Sequence, residues 1–187
     1  MNFATRIYVW IRKHILNIDD RSPVEIALAN GMKMGQNCHI LDGCILDPGH
    51  CWLIKMGDRV TLAPGVHVLA HDASTKRPLG YAVIGRVVIG NDVFIGAGSI
   101  ILPNVTIGDR VIVGAGSVVT HSLASDAVYA GNPIRRLCSI REYLDKRHQQ
   151  MADAPIYDAS FKIGAITEEK KAQMVDELLE HPIGFIV

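Results

Sequence analysis

Residues Ile89 to Ala124, written in sixes, read IGNDVF (89–94), IGAGSI (95–100), ILPNVT (101–106), IGDRVI (107–112), VGAGSV (113–118) and VTHSLA (119–124). Every first position is Ile or Val, and the second is usually Gly. An internal repeat held in one phase over six units decides the architecture before any single element is assigned. The fifth residue of one unit and the first of the next are two apart, so on a strand they face the same side. The inward pairs are Val93/Ile95, Ser99/Ile101, Val105/Ile107, Val111/Val113 and Ser117/Val119, while the residue between them, such as Phe94 or Thr106, faces out. The third and fourth positions (Asn91-Asp92, Ala97-Gly98, Pro103-Asn104, Asp109-Arg110, Ala115-Gly116) are turn formers. Each unit is therefore one short strand and one corner. Strands this short gain stability only by stacking coil on coil, which makes a solenoid with an aliphatic ladder as its core.

The chain has 187 residues, enough for one domain with terminal additions. It is 49% hydrophobic but only 6% aromatic, and its formal net charge is zero. That balance suits stacked Ile and Val and gives no basic face for nucleic acid. Arg6, Arg12, Lys13 and His14 interrupt every apolar run near the N-terminus, so no secretory signal is expected and the protein reads as cytoplasmic. Cys38, Cys44, Cys51 and Cys138 have no C-x-x-C spacing. They read as reduced core thiols, not as disulfides or zinc ligands.

Residues Asn2–Ile18 carry Phe3, Ile7, Trp10, Ile11 and Ile15 at helical spacing, an amphipathic helix expected to pack on its own domain, with membrane contact as the other use of such a face. Ser22-Pro23-Val24-Glu25 is a capping box that opens a short helix stopped at Gly31. The repeats begin at Met34 and slip twice. From Leu46 to Met56 is ten residues, four more than a unit, and from Val68 to Val83 is fifteen, nine more. The expected domain limits are 1–30 for the N-terminal helices, 31–134 for the solenoid with loops near 46–55 and 71–82, and 135–187 for a C-terminal helical extension. In the extension, Ser139–Glu142 caps a helix running to about Gln150, Met151 to Ala165 reads as irregular, and Thr167 to Glu180 reads as a second helix. Loops that project from a rigid scaffold commonly hold the chemistry. The first carries Asp47, His50 and Cys51; the second carries His71, Asp72 and the run Ser74–Tyr81.

The Leu62-Ala63-Pro64-Gly65-Val66 unit, the histidine eight residues after that Ala-Pro, the late Gly-Ala-Gly-Ser-Val-Val-Thr unit and the exit Ala130-Gly131-Asn132-Pro133 together resemble the hexapeptide-repeat acyltransferases, most closely the saccharide and surface-polysaccharide O-acetyltransferases. The resemblance spans roughly residues 31 to 145. It implies a mainly β protein, a left-handed parallel β-helix with three strands per coil. It also implies transfer of an acetyl group from acetyl-CoA, without a metal, to a sugar hydroxyl in capsule or lipopolysaccharide synthesis, by a homotrimer with sites between subunits.

His71 occupies the phase of the family's general base, and imidazole has a pKa suited to that task. Asp47, His50 and Asp72 are expected to contact the acceptor, and Asp72 has two other readings, orienting the His71 base or merely starting the loop. The corners Ala97 and Ala115 match those along which the pantetheine arm lies in the family, with the Ala97 amide a candidate donor to the thioester oxygen. Thr120 and His121 fall beside the nucleotide end of CoA, and Arg135 and Arg136 follow the last coil, where they would meet its phosphates. His39 and His67 read as outward surface residues. Two other readings use the same architecture: N-acetylation of an amino sugar nucleotide, and a carbonic-anhydrase-like metal site built from His50, His67 and His71.

Overall fold

A computed structural model describes Ile7, Trp10 and residues 21–187, which fall into two compact units, 1–137 and 138–187. The helix expected over Asn2–Ile18 lies outside the described residues except for Ile7 and Trp10, which are helical and exposed. Among the described residues no helix is long and apolar enough to cross a membrane.

The first unit is a left-handed parallel β-helix whose strands stack into three faces. The first face holds Lys33–Met34, Ile54–Met56, Val87–Ile89 and Thr106–Ile107; the second His39–Ile40, Thr61–Leu62, Phe94–Ile95, Val111–Val113 and Ala127–Ala130; the third Ile45–Leu46, His67–Val68, Ile100–Ile101 and Val118–Val119. The strand pairs between successive coils are parallel, as Phe94 against Thr61 and Ile112 shows. The core is the expected ladder. Val93, Ile95, Ile101, Val105, Ile107, Val111, Val113 and Val119 are 0–1% exposed, as are Ser99 and Ser117, while Phe94 is 44% exposed. Each such Ile or Val stabilises the fold by roughly 1.5–3 kcal/mol relative to exposure. The two buried serines are satisfied within the core: Ser99 Oγ donates to the Gly114 carbonyl at 3.1 Å, and Ser117 Oγ to the same carbonyl at 2.6 Å.

The corners explain the rest of the repeat. The fourth positions Asp92, Gly98, Asn104, Arg110 and Gly116 all adopt φ between +52° and +67°, a region uncommon for side-chain-bearing residues. At the corner after the first face the third positions hold one another. Gln36 N–H donates to Asp58 Oδ1 (2.7 Å), Asp58 N–H to Asn91 Oδ1 (2.9 Å), Asn91 N–H to Asp109 Oδ1 (2.6 Å) and Asp109 N–H to Ser125 Oγ (3.0 Å). This chain of bonds accounts for the second-position glycine. A Cβ on Gly90 would lie 2.4 Å from Asp109 Oδ1 and 2.8 Å from the Gly108 carbonyl carbon, so the carboxylate fits only above a residue without one.

Coil register measures the two insertions. Leu46 pairs with Val68, Val68 with Ile101, and Ile101 with Val119. The steps are 22, 33 and 18 residues, so the insertions are four and fifteen residues against a regular coil. The second is longer than the nine expected. Val83 and Ile84 do not restart the ladder. They pair antiparallel with Asp72 and His71 and are 49% and 58% exposed. The coil resumes only at Val87, because a ladder position needs a parallel partner on the preceding coil and Val87 finds Ile54.

Helix Pro23–Ala29 carries the expected capping box, with Ser22 N–H donating to Glu25 Oε2 at 2.7 Å. In the second unit, helix Ile140–Met151 is capped by Ser139 and Glu142, and helix Glu168–Glu180 is capped by Thr167. The stretch read as irregular contains a strand, Ile156–Tyr157, parallel to Phe185–Ile186. All four cysteines are free; Cys44 and Cys51 are buried, Cys38 and Cys138 partly so. Burial pushes the Cys44 thiol above its ordinary pKa, the state of an inert core thiol.

Candidate active site

The first insertion turns back on itself directly after the third face. Asp47 leaves strand Ile45–Leu46 and is wholly buried. Its Oδ1 accepts the backbone N–H groups of Gly49 (3.1 Å) and His50 (3.0 Å), and its Oδ2 accepts that of Ala70 (2.6 Å) from the next coil. The carboxylate thus ties the two loops together. His71 follows Ala70, and its Nδ1 sits 2.7 Å from Asp47 Oδ2 and 2.9 Å from Oδ1. Burial works to raise the Asp47 pKa. The hydrogen bonds from His71 and from the Ala70 and Gly49 N–H groups outweigh it and hold the carboxyl below the ordinary carboxylate range. An ionised Asp47 only accepts. His71 Nδ1 must therefore carry the proton it shares, so in the neutral imidazole the lone pair lies on Nε2. The His71 side chain is 34% exposed.

His50 completes a cluster. Its ring lies 4.9 Å from the His71 ring, and its Nδ1 is 3.8 Å from Asp47 Oδ1, buried and without a hydrogen-bond partner. Ligand atoms of Asp47, His50 and His71 all lie within 4.8 Å of one another, a grouping that could hold a cation. The donor set fits one poorly, because both Asp47 oxygens already receive backbone N–H groups as well as the His71 proton. His67, a ligand in the carbonic-anhydrase-like reading, is not in this group; it sits in strand His67–Val68, paired with Ile45 and Ile100.

The two acidic residues take different roles. Asp47 does not face an acceptor, being 0% exposed with its oxygens occupied, and instead lies behind His71. Asp72 does not orient the imidazole either: it is exposed, and its Oδ1 accepts the Ser74 N–H at 2.8 Å to start the loop. That hydrogen bond, more than any other contact, holds the Asp72 carboxyl below its ordinary pKa. The contact follows from the coil register, since Asp47 and His71 both follow third-face strands, one coil apart.

Ala97 and Ala115 lie elsewhere, at the corner joining the second face to the third, where Gly116 N–H donates to the Ala97 carbonyl at 2.8 Å. Both alanines are exposed, and a Cβ on Gly98 or Gly116 would meet nothing within 4 Å, so the surface here is open. Thr120 and His121 share the edge that carries His71, two coils further on; Thr120 Oγ1 and His121 Nδ1 are 3.1 Å apart and exposed. Arg135 and Arg136 are exposed after the last coil, with Arg135 Nη1 donating to the Ile134 carbonyl at 2.9 Å. Within one chain, therefore, the Ala97–Ala115 corner and the His71 loop occupy opposite edges of the third face.

Residues 86–121 match the family model described as bacterial transferase hexapeptide (six repeats). Protein CapG of Staphylococcus aureus is 40% identical over 121 residues, which cover 62% of this chain and 70% of that protein. Among solved structures, a maltose O-acetyltransferase from Clostridium difficile 630 is 37% identical with a TM-score of 0.53, over 58% of this chain and 59% of that one. A galactoside acetyltransferase in complex with coenzyme A is 30% identical with a TM-score of 0.50, over 62% of this chain and 58% of that one. This chain thus spans less than two thirds of either solved relative. The coiled repeat, its corner chemistry and these likenesses agree that the chain belongs to the hexapeptide-repeat acyltransferases.

Proposed function

We propose that this protein is an acetyl-CoA-dependent O-acetyltransferase of the cytoplasm that modifies a sugar hydroxyl during synthesis of a surface polysaccharide. The observation that carries the reading is the Asp47–His71 pair, in a part-exposed imidazole whose Nδ1 is bonded to a buried, ionised carboxylate. His71 Nε2 takes the proton of the acceptor hydroxyl as its oxygen attacks the acetyl carbonyl carbon. The tetrahedral oxyanion is held by a backbone N–H, for which Ala97 is the candidate. The C–S bond then breaks, the acetyl ester is left on the sugar, and the departing thiolate takes the proton back from His71. Asp47 stays ionised and stabilises the imidazolium between the two transfers. No acyl-enzyme is needed, and the buried Cys44 and Cys51 thiols are poor nucleophiles.

The separation of the Ala97–Ala115 corner from the His71 loop within one chain supports a site formed between copies, in a homotrimer. In that arrangement Ala97, Ala115, Thr120, His121, Arg135 and Arg136 contact coenzyme A, while His50 and the loop after Asp72 shape the acceptor side. A maltose O-acetyltransferase and a galactoside acetyltransferase among the relatives favour a sugar hydroxyl as acceptor over an amine.

The test is release of free thiol from acetyl-CoA in the presence of a panel of saccharides. His71→Ala should keep the fold and lose about 10²- to 10⁴-fold in turnover. Turnover near that of the wild type would sink the assignment, and a mild loss confined to amino-sugar acceptors would favour N-acetylation.

A further inference from the structure

Acyl transfer by the Asp47–His71 pair makes no use of Trp52. It sits in the 3-10 turn Cys51–Leu53 and is 55% exposed, although Cys51 before it and Ile54 beyond the turn are each 1% exposed. The core closes beneath the indole without needing it. Its ring lies 5.3 Å from the His50 ring at a tilt of 49°, and the His50 ring lies 4.9 Å from that of His71. His71, His50 and Trp52 are therefore successive neighbours beside the buried Asp47. The root of the side chain is fixed from behind. Gly31, at φ +99°, passes so close that a Cβ there would lie 3.2 Å from Trp52 Cβ, and Cys51 Sγ reaches the Ala27 carbonyl at 3.6 Å. A flat apolar surface with only two side-chain torsions, anchored at its base and left half in water, is suited to binding because little entropy is lost when a ligand covers it.

We propose that Trp52 is the acceptor platform: the indole receives the C–H face of the pyranose ring whose hydroxyl is presented to His71. This rests on the acyl-transfer reading above and adds the means of recognition. A pyranose has one face of axial C–H bonds and a rim of hydroxyls. Stacking recognises the ring, while the rim stays free for His71 at one point and for polar neighbours such as His50 at others. A platform of this kind selects sugars as a class and leaves the choice of hydroxyl to the rim contacts.

The test uses the full chain, with thiol release from acetyl-CoA followed across maltose, methyl glucosides, methyl galactosides and N-acetylglucosamine. Trp52→Ala should raise the acceptor KM about tenfold or more, as truncation of a central aromatic contact commonly does. Trp52→Phe should restore most of it. The KM for acetyl-CoA and the acceptor-free hydrolysis rate should not move. In a Trp10→Phe background, where Trp52 is the remaining one of the two tryptophans, the acceptor should change the indole emission along the same saturation curve. An unchanged acceptor KM in Trp52→Ala overturns the proposal. So does a joint loss for both substrates together with a lower mass by light scattering, which makes the indole a contact between copies. Wild-type protein that releases no thiol with any saccharide of the panel overturns the sugar-acceptor reading itself, and turnover of the wild type tells that failure from failure of the platform alone.

Discussion

Replacing Asp47 by Asn separates its two roles, because the substitution keeps the shape and changes only what the two atoms can do. With the amide oxygen at the Oδ1 position, the Gly49 and His50 N–H groups keep their acceptor at 3.1 and 3.0 Å. The amide nitrogen then takes the Oδ2 position, 2.6 Å from the Ala70 nitrogen and 2.7 Å from His71 Nδ1. Two donors now face each other at Ala70, and one buried N–H loses its partner at a cost of about 1–3 kcal/mol. For a chain of this size each kcal/mol shifts Tm by roughly 2–4 °C. The amide N–H also favours the tautomer with Nδ1 unprotonated, which puts the proton on Nε2 and removes the base. Turnover should therefore fall about 10²- to 10⁴-fold, well beyond the stability effect. Asp47→Ala should be less stable still, because the Gly49 and Ala70 N–H groups lose their acceptor and the His50 N–H keeps only the Asp47 backbone carbonyl, whereas Asp72→Asn should stay within about 0.5 kcal/mol of the wild type and keep its turnover. The pH dependence follows from the same contacts. The Asp47 pKa is lower folded than unfolded, so its contribution to stability is present above the unfolded value of about 3.9 and is lost as pH falls through the folded one. Thermal melts from pH 7 downward should show wild type losing its advantage over Asp47→Asn only below about pH 4. An Asn variant with kcat within about twofold of the wild type, or a stability gap unchanged by acid, would refute the reasoning.

Gly90→Ala should destabilise the first corner by about 1–3 kcal/mol or more, because its Cβ meets Asp109 Oδ1 and the Gly108 backbone; urea melts in which it equals the wild type would sink the hydrogen-bonded corner as the reason for that glycine. Acetyl-CoA at about 100 times its Kd should stabilise the protein by roughly 2.7 kcal/mol, and a thermal shift with zinc alone after chelation would instead argue for a metal at Asp47, His50 and His71.

The fold was legible in the chain because the constraint on each ladder residue is local and repeats. A first- or fifth-position side chain points inward whatever lies two coils away, so Val93, Ile95 and their successors could be assigned to the core by spacing alone. The same spacing marked Asp92, Asn104 and Arg110 as corner residues, though not that they would adopt positive φ. His71 was legible through the loop it sits on and the resemblance around it. Its partner was not, since periodicity speaks of neighbours within a face and is silent inside an insertion. Val83 shows the same limit in reverse: its type and phase suit the ladder, yet it lies in a hairpin with Asp72.

By itself the sequence determined the six-residue period, the three-strand coil it implies in this family, the inward aliphatic ladder and the two loops where chemistry would gather. Only the tertiary structure decided that Asp47 rather than Asp72 holds His71, that His50 and Trp52 follow His71 as successive neighbours, and that Ala97 and Ala115 stand across the third face from them. The reason is physical. A repeat encodes each residue's direction through its own backbone, but a contact between two loops depends on the register of one coil on the next, which the four- and fifteen-residue insertions shift by amounts that no local rule supplies.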